Sequence, residues 1–229
     1  MDTPIKVDMK NYFLPAVAVF TVFVFFSCAG LPSTKVETAS LVPETVPEIT
    51  EKPDTPVLIM GKGLVPGEKL AEFLIRHNSR VDSGFIRSLS NYYLEEAAAE
   101  GVNHDVAFAQ MCLETGFLHY GGLVTPDKNN FCGLGAIGPE QPGLSFPDPR
   151  TGVRAHIQHL KAYASKEPLN NALVDPRYRY VKIGSSPAIH GLSGTWAADR
   201  AYSGKIGRIL DRLYDYVFKE RANMKTGTI

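Results

Sequence analysis

In the stretch AFAQMCLETGFLHYGG, residues 107–122, an apolar run with helical character ends at Leu113–Glu114–Thr115–Gly116–Phe117. A carboxylate in the last turn of a helix meets the negative end of the macrodipole, which disfavours its ionisation. The apolar neighbours Leu113 and Phe117 add desolvation, which acts in the same direction. A carboxylic acid still protonated near neutral pH is what cleavage of a glycosidic bond requires, because the leaving oxygen must receive a proton. The same local sequence also fits an ordinary solvated helix end.

The surroundings bear on that choice. Phe117, Tyr120, Phe131 and Phe146 lie in or beside Gly-rich segments, and the only tryptophan, Trp196, stands near Asp199 and Tyr202 ahead of a helical pattern. Aromatic faces in loops suit the apolar C–H faces of sugar rings, although Phe131 and Phe146 fit a core equally well. His156 and His159, at i and i+3, have the spacing of a metal pair, but no third ligand stands at recognisable spacing and HExxH is absent. No G-x-S-x-G, Walker or dinucleotide pattern is present.

The elements that must position these residues follow from periodicity. Gly67–Ile75 reads as a first helix. Ser83 can cap a second, with Phe85, Leu89, Tyr92 or Tyr93, and Ala97 at helical spacing and Gly101 at its end. Asn103–His104–Asp105 offers a cap for a third helix, Val106 to Glu114, closed by Gly116. Residues 121–147 are rich in Gly and Pro and predict loops with at most a short hairpin. Asp148 or Thr151 caps the next helix, whose apolar face is Val153, Ile157, Leu160 and Ala164. A loop carries VDPRYRYVK. The last helix follows Tyr202, with Ile206, Ile209, Leu210, Leu213 and Val217 on one face, and a polar tail follows Phe218. The pattern predicts one mainly α domain with a small irregular lobe.

The 229-residue chain balances 24 Lys+Arg against 24 Asp+Glu, which argues against nucleic acid as a partner. Lys6 and Lys10 precede an apolar run of about 15 residues from Tyr12 to Phe26, the length of a signal-peptide core rather than a membrane span. Ser27–Cys28–Ala29–Gly30 then resembles a lipoprotein cleavage site that leaves Cys28 lipidated; an uncleaved signal anchor is the alternative. Both place the rest of the chain outside the cytoplasm. Residues 29–56 are rich in Pro, Thr and Glu and read as a tether. With Cys28 lipidated, Cys112 and Cys132 remain, either as a disulfide contributing roughly 3 kcal/mol or as two buried thiols.

Four segments in order, NHDVAFAQMCLETGFLHYGG, NNFCGLGA, FPDPRTGVRAHIQHLKAYA and GTWAADRAYSGKI, resemble the bacterial glucosaminidase family of peptidoglycan hydrolases. The resemblance covers about residues 60–218, within a domain placed at 57–218 and followed by the tail 219–229. It implies a mainly α, lysozyme-like, two-lobed fold with a loop and β-hairpin lobe. It implies endo-cleavage of the β-1,4 glycan backbone after N-acetylglucosamine, with Glu114 as general acid and no metal or organic cofactor.

By the same resemblance Asn130 and Phe131 line the cleft, with Cys132 inserted relative to the common N-x-F-G form. Trp196, Asp199 and Tyr202 match the family's W-A-T-D-P-x-Y segment, while Ala198 and Arg200 depart from it. Trp196 and Asp199 are thus candidate substrate-binding residues and Tyr202 a candidate active-site tyrosine. The family's second acid lies on the small lobe, where Asp148 and Glu140 are candidates and Asp127 a third. The substrate's own acetamide can replace it. The expected partners are peptidoglycan strands and, through Cys28, a membrane, for a monomeric, exported lipoprotein. A muramidase or lytic transglycosylase, and a non-catalytic wall anchor, are the rival readings.

Overall fold

The computed structural model describes residues 52–55 and 57–226, with side chains as far as 218. The leader, Cys28 and most of the expected tether lie outside the described residues. Five helices make up most of the domain: α1 Gly67–His77, α2 Ser83–Glu100, α3 His104–Glu114, α4 Pro149–Ala164 and α5 Tyr202–Thr226. One short antiparallel hairpin joins β1, Ala136–Gly138, to β2, Gln141–Pro142, pairing Ala136 with Pro142 and Gly138 with Gln141. The chain is therefore mainly α with a small hairpin segment, as the sequence predicts.

The third helix, α3, is the centre. Its residues from His104 to Cys112 are all buried, the pattern of a helix enclosed on every side. Asn103 caps it, its side chain accepting from the backbone N–H of Asp105 at 3.0 Å and of Val106 at 3.3 Å. Asp105, fully buried in the first turn, accepts from Leu64 N at 2.7 Å, Val65 N at 3.2 Å and the Tyr214 hydroxyl at 2.9 Å. These bonds satisfy a charge that the positive end of the helix also favours. They fix the start of α3, and so the place where Glu114 emerges.

The flanking helices pack their apolar stripes on this centre. On α4, Val153, Ile157, Leu160 and Ala164 are buried as expected; on α5, so are Ile206, Ile209, Leu210, Leu213 and Val217. Two buried carboxylates tie α2 to α4: Glu96 receives Arg150 and Arg154, and Glu100 receives Lys161 at 2.8 Å. A second, smaller cluster of Cys132, Leu134, Phe146 and Ala155 forms beneath the hairpin segment, and Trp196 packs against both clusters. Gly152 lets α4 approach this segment, since a Cβ there would lie 1.8 Å from the Asn129 carbonyl oxygen.

Several local expectations are corrected. The cap of α2 is Asp82, which accepts from Phe85 N at 2.7 Å, and Ser83 is already helical. The helix expected to end in a polar tail after Phe218 continues to Thr226. Contacts with the domain begin inside the expected tether, where Lys52 reaches Asp215 at 2.9 Å and Thr55 reaches Asp211 at 2.5 Å. Cys112 and Cys132 are free and buried, and burial pushes both thiols well above the ordinary range.

Candidate active site

Glu114 is the last residue of α3, and the chain leaves it through an unusual turn. Gly116, Phe117 and Leu118 all take left-handed conformations, with φ of 56°, 57° and 61°, and Tyr120 does so again at 56°. Such a run in non-glycine residues is strained and persists only when its surroundings hold it. Here Phe117 N donates to Cys112 O and Tyr120 N to Thr115 O, each at 2.8 Å. Asn78 donates to the Phe117 carbonyl at 3.0 Å, and the Phe117 ring stacks on His77 with centroids 4.3 Å apart. The turn swings the backbone away sharply and leaves a cleft of about 200 Å³ beside Glu114, lined also by Tyr120, Val124, Asn130 and Gly133.

The two oxygens of Glu114 differ. Oε1 accepts from the indole N–H of Trp196 at 3.1 Å and from the Tyr202 hydroxyl. Oε2 faces Gly133, where a Cβ would stand 3.6 Å away. Burial pushes the Glu114 carboxyl above its ordinary value, and the bonds from Tyr202 and Trp196 oppose but do not cancel that effect. The cause that dominates is desolvation, as the apolar neighbours predict.

Behind Tyr202 runs a buried chain of hydrogen bonds. Gln110 Nε2 donates to the Tyr202 hydroxyl oxygen at 2.8 Å; Gln110 Oε1 meets His156 Nε2 at 3.0 Å; His156 Nδ1 meets the Tyr93 hydroxyl at 2.9 Å. Gln110, His156 and Tyr93 are fully buried. Burial holds the His156 pKa down to about 3, so the ring is neutral. A neutral ring donating from Nε2 must accept at Nδ1, and Tyr93 must donate. The chain thus has a single direction, Tyr93 to His156 to Gln110 to Tyr202 to Glu114. Since Tyr202 and Trp196 both donate to Oε1, a proton on Glu114 belongs on Oε2, the oxygen beside Gly133.

Asn130 shapes the opposite wall. Its amide donates to Leu134 O at 2.9 Å and Leu144 O at 3.0 Å, and its carbonyl accepts from Cys132 N at 3.4 Å and Leu134 N at 3.0 Å. Three of these four bonds hold the Cys132–Leu134 loop against Glu114, and the fourth ties it to Leu144.

The model of the family described as mannosyl-glycoprotein endo-beta-N-acetylglucosaminidase matches residues 90–215, more than half of the chain. The chain belongs to the glucosaminidase family. Membership supports peptidoglycan hydrolase activity in general. An uncharacterized protein of Borreliella burgdorferi is 41% identical over 169 residues, covering 74% of this chain and 82% of that protein. Among solved structures, that of Staphylococcus aureus autolysin E in complex with the muropeptide NAM-L-Ala-D-iGlu aligns at a TM-score of 0.46 and 15% identity. It covers 72% of this chain and 74% of that one.

Within this glucosaminidase domain the other residues singled out from sequence fall in distinct places. Trp196 and Tyr202 join Glu114 directly. Phe131 is only 1% exposed and belongs to the core, so it supports the cleft loop from behind and offers no face to a sugar. Asp199 is exposed, ion-paired with Lys205 at 2.6 Å and accepting from Ala201 N at 2.8 Å. It holds the entry to α5. Asp148 caps α4, accepting from Thr151 N at 2.9 Å and Thr151 Oγ1 at 2.8 Å. Glu140 sits at the tip of the hairpin, exposed. Asp127 is exposed in a single 3-10 turn. His156 and His159 face different partners, Gln110 and Asp175.

Gln110 is the site-supporting residue that the sequence reading missed, and it read His156 only as half of a spaced pair and Tyr93 only as a position on an apolar helix face. One signal was available: Gln110 is a polar residue inside an apolar helix, four positions before Glu114 and so on the same face. A larger pocket of about 560 Å³ lies around Leu94, Val102 and His104. It is at the far end of α3, roughly 15 Å of helix from Glu114, and its lining is mostly apolar.

Proposed function

We propose that this chain is an endo-β-N-acetylglucosaminidase that cuts the β-1,4 backbone of peptidoglycan with Glu114 as general acid. The observation that carries this reading is the asymmetry of Glu114. One oxygen is occupied by two donors, the other is open to a cleft, and burial raises the pKa. Oε2 gives its proton to the glycosidic oxygen as the bond to the anomeric carbon breaks. Water then adds to the anomeric carbon and gives its proton to a second carboxylate; where the substrate acetamide oxygen attacks the anomeric carbon first, water opens the resulting ring and its proton returns to the Glu114 carboxylate. Tyr202 and Trp196 hold the acid in its rotamer and stabilise the carboxylate it becomes. The role given to Tyr202 is thus on Glu114 itself, whose Oε1 its hydroxyl bonds.

For the second carboxylate, Glu140 is the better candidate. Asp148 already bonds Thr151 twice as a cap, whereas Glu140 has no hydrogen-bond or ion-pair partner among the described residues. Export and a lipid on Cys28 would hold a monomeric domain within tether reach of the wall, facing the periplasm or the exterior.

The test is digestion of purified peptidoglycan by the native chain and by Glu114→Gln, with borohydride reduction and mass spectrometry of the products. Reduced N-acetylglucosamine ends from the native chain alone are expected. Reduced muramic acid ends would make it a muramidase, and anhydromuramic ends a lytic transglycosylase. Binding without release by either protein would make it a wall anchor.

A further inference from the structure

We propose that Arg177 builds an anion subsite beside the catalytic cleft, with His159 in its wall, and that it takes a carboxylate on the lactyl arm or peptide stem of the substrate's muramic acid. The proposal rests on the glycan-hydrolase reading above and names a part of the substrate that the reading leaves open.

A second cleft of about 210 Å³ adjoins the one at Glu114 and is lined by Gly133, Ala136, His159, Tyr163, Arg177 and Trp196. Gly133 and Ala136 line both clefts. Trp196 joins them: its indole N–H bonds Glu114, while its ring meets His159 edge-on at 4.9 Å and Tyr163 at 5.6 Å. A glycan held against Glu114 would therefore carry its neighbouring substituents past this second wall.

The two basic residues are built in place. Asp175, 1% exposed, accepts His159 Nδ1 on Oδ2 at 2.7 Å and the Arg177 backbone N–H on Oδ1 at 2.8 Å. The loop around Asp175 is pinned to α4 by Gln158, whose carbonyl accepts from Val174 N at 2.8 Å and Asp175 N at 3.2 Å. One buried carboxylate thus holds the His159 ring and the Arg177 backbone, with a bond on each of its oxygens. The Arg177 guanidinium rests over the Tyr180 ring, 4.8 Å from its centroid. It has no carboxylate partner among the described residues. Arg150 and Arg154, by contrast, are both engaged by Glu96. No acid side chain lines this second cleft, and Arg177 is the one Arg or Lys among its lining residues.

The glycan backbone of peptidoglycan is neutral. Its charge lies on the muramic acid substituent, either as the lactyl carboxyl itself when the stem is absent or as carboxylates of the peptide stem. A half-buried guanidinium with its fork unoccupied is suited to a carboxylate in two-point contact. The arrangement explains the VDPRYRY loop, which the acid at Glu114 does not.

The test uses the full chain in detergent carrying Glu114→Gln, so that it binds without cutting, and measures pelleting with sacculi. Arg177→Ala is compared with Arg179→Ala, which removes the same charge from an exposed side chain two residues away. Three preparations are used: intact sacculi, sacculi stripped of stems by an amidase, and sacculi whose carboxyls have been amidated with carbodiimide. Arg177→Ala should weaken binding to intact sacculi about tenfold, the scale of one charge-assisted contact, and Arg179→Ala should not. On amidated sacculi the Arg177-bearing protein should fall to the level of Arg177→Ala. An Arg177 effect that survives stripping assigns the lactyl carboxyl, and one that disappears assigns the stem. Binding to intact sacculi that is indifferent to Arg177, or an Arg177 effect that persists on amidated sacculi, overturns the subsite alone. Failure of the Glu114→Gln protein to bind any sacculi overturns the glycan reading and the subsite with it.

Discussion

Gln110 donates its side-chain amide to the Tyr202 hydroxyl at 2.8 Å, joining α3 to α5 across 92 residues of sequence. The Tyr202 proton is committed to Glu114, so Gln110 must offer N–H to Tyr202 and its carbonyl to His156. Gln110→Leu removes both. It leaves the His156 Nε2–H unpaired in the core, which should cost about 1–3 kcal/mol of stability, read by urea unfolding. It also frees the Tyr202 hydroxyl to turn. For the folded enzyme, kcat should fall about tenfold or more while KM stays close to the parent value. A variant that loses stability but keeps kcat would reduce the chain of bonds to a packing device.

The raised Glu114 pKa bears on both activity and folding, and in the same sense. A general acid must be protonated, so kcat/KM should decline as pH rises through the Glu114 pKa, above the usual glutamate range. Tyr202→Phe removes a donor that stabilises the carboxylate, so this alkaline limb should move to higher pH even as the maximal rate falls. The buried Cys132 thiol near Glu114 is neutral and does not alter that sign.

Folding responds to the same shift. Between the unfolded and folded pKa values the native state holds a proton that the unfolded chain has released, so stability falls as pH rises through this window. Below the unfolded value the contribution is intact. Glu114→Gln removes the ionisation and should raise Tm at neutral pH while abolishing activity. A Tm that drops would mean that the carboxylate is the form the site prefers.

The candidate second acids separate cleanly. Asp148→Ala removes a cap and should cost about 1 kcal/mol, with kcat within about twofold of the parent because no substrate contact is lost. Glu140→Gln should do the reverse, leaving thermal unfolding unchanged and lowering kcat. Unchanged turnover in Glu140→Gln would favour the substrate acetamide as the group that replaces a second carboxylate.

What the sequence revealed and what it hid follow from range. The helices were legible because their apolar residues repeat at 3.6, and Asn103 and Asp148 act as caps because a cap is decided within three residues. Glu114 was legible for the same reason: helix end, apolar neighbours and glycine are all local. Its partners were not. The Tyr202–Glu114 bond spans 88 residues and the His156–Gln110 bond 46, and no local pattern encodes such meetings. Phe131 shows the converse limit, since its type suits a sugar or a core, and only the approach of Gly152 and α4 decides for the core. The free state of Cys112 and Cys132 was likewise undecidable from spacing.

The pair that ties α2 to α4 gives the sharpest test of the scaffold. Glu100 and Lys161 lie 2.8 Å apart with side chains 0% and 3% exposed. Burial alone would raise the Glu100 pKa, but the backbone N–H of Asn170, Lys161 and the backbone N–H of Asn171 outweigh it and hold the carboxyl below its ordinary value. Such a group stabilises the fold above its unfolded pKa, and the contribution is lost as pH falls through the folded pKa. Lys161→Met leaves a buried carboxylate with two backbone donors and no countercharge, which should cost about 3 kcal/mol at neutral pH. That loss should shrink in acid, where Glu100 takes up a proton instead. Glu100→Gln combined with Lys161→Met should recover part of it, because neither buried charge then lacks a partner. Urea unfolding of the two single variants and the double, at neutral and acid pH, reads all of this. If the losses merely add, the two residues are not coupled, and the Glu96 cluster alone holds α2 to α4.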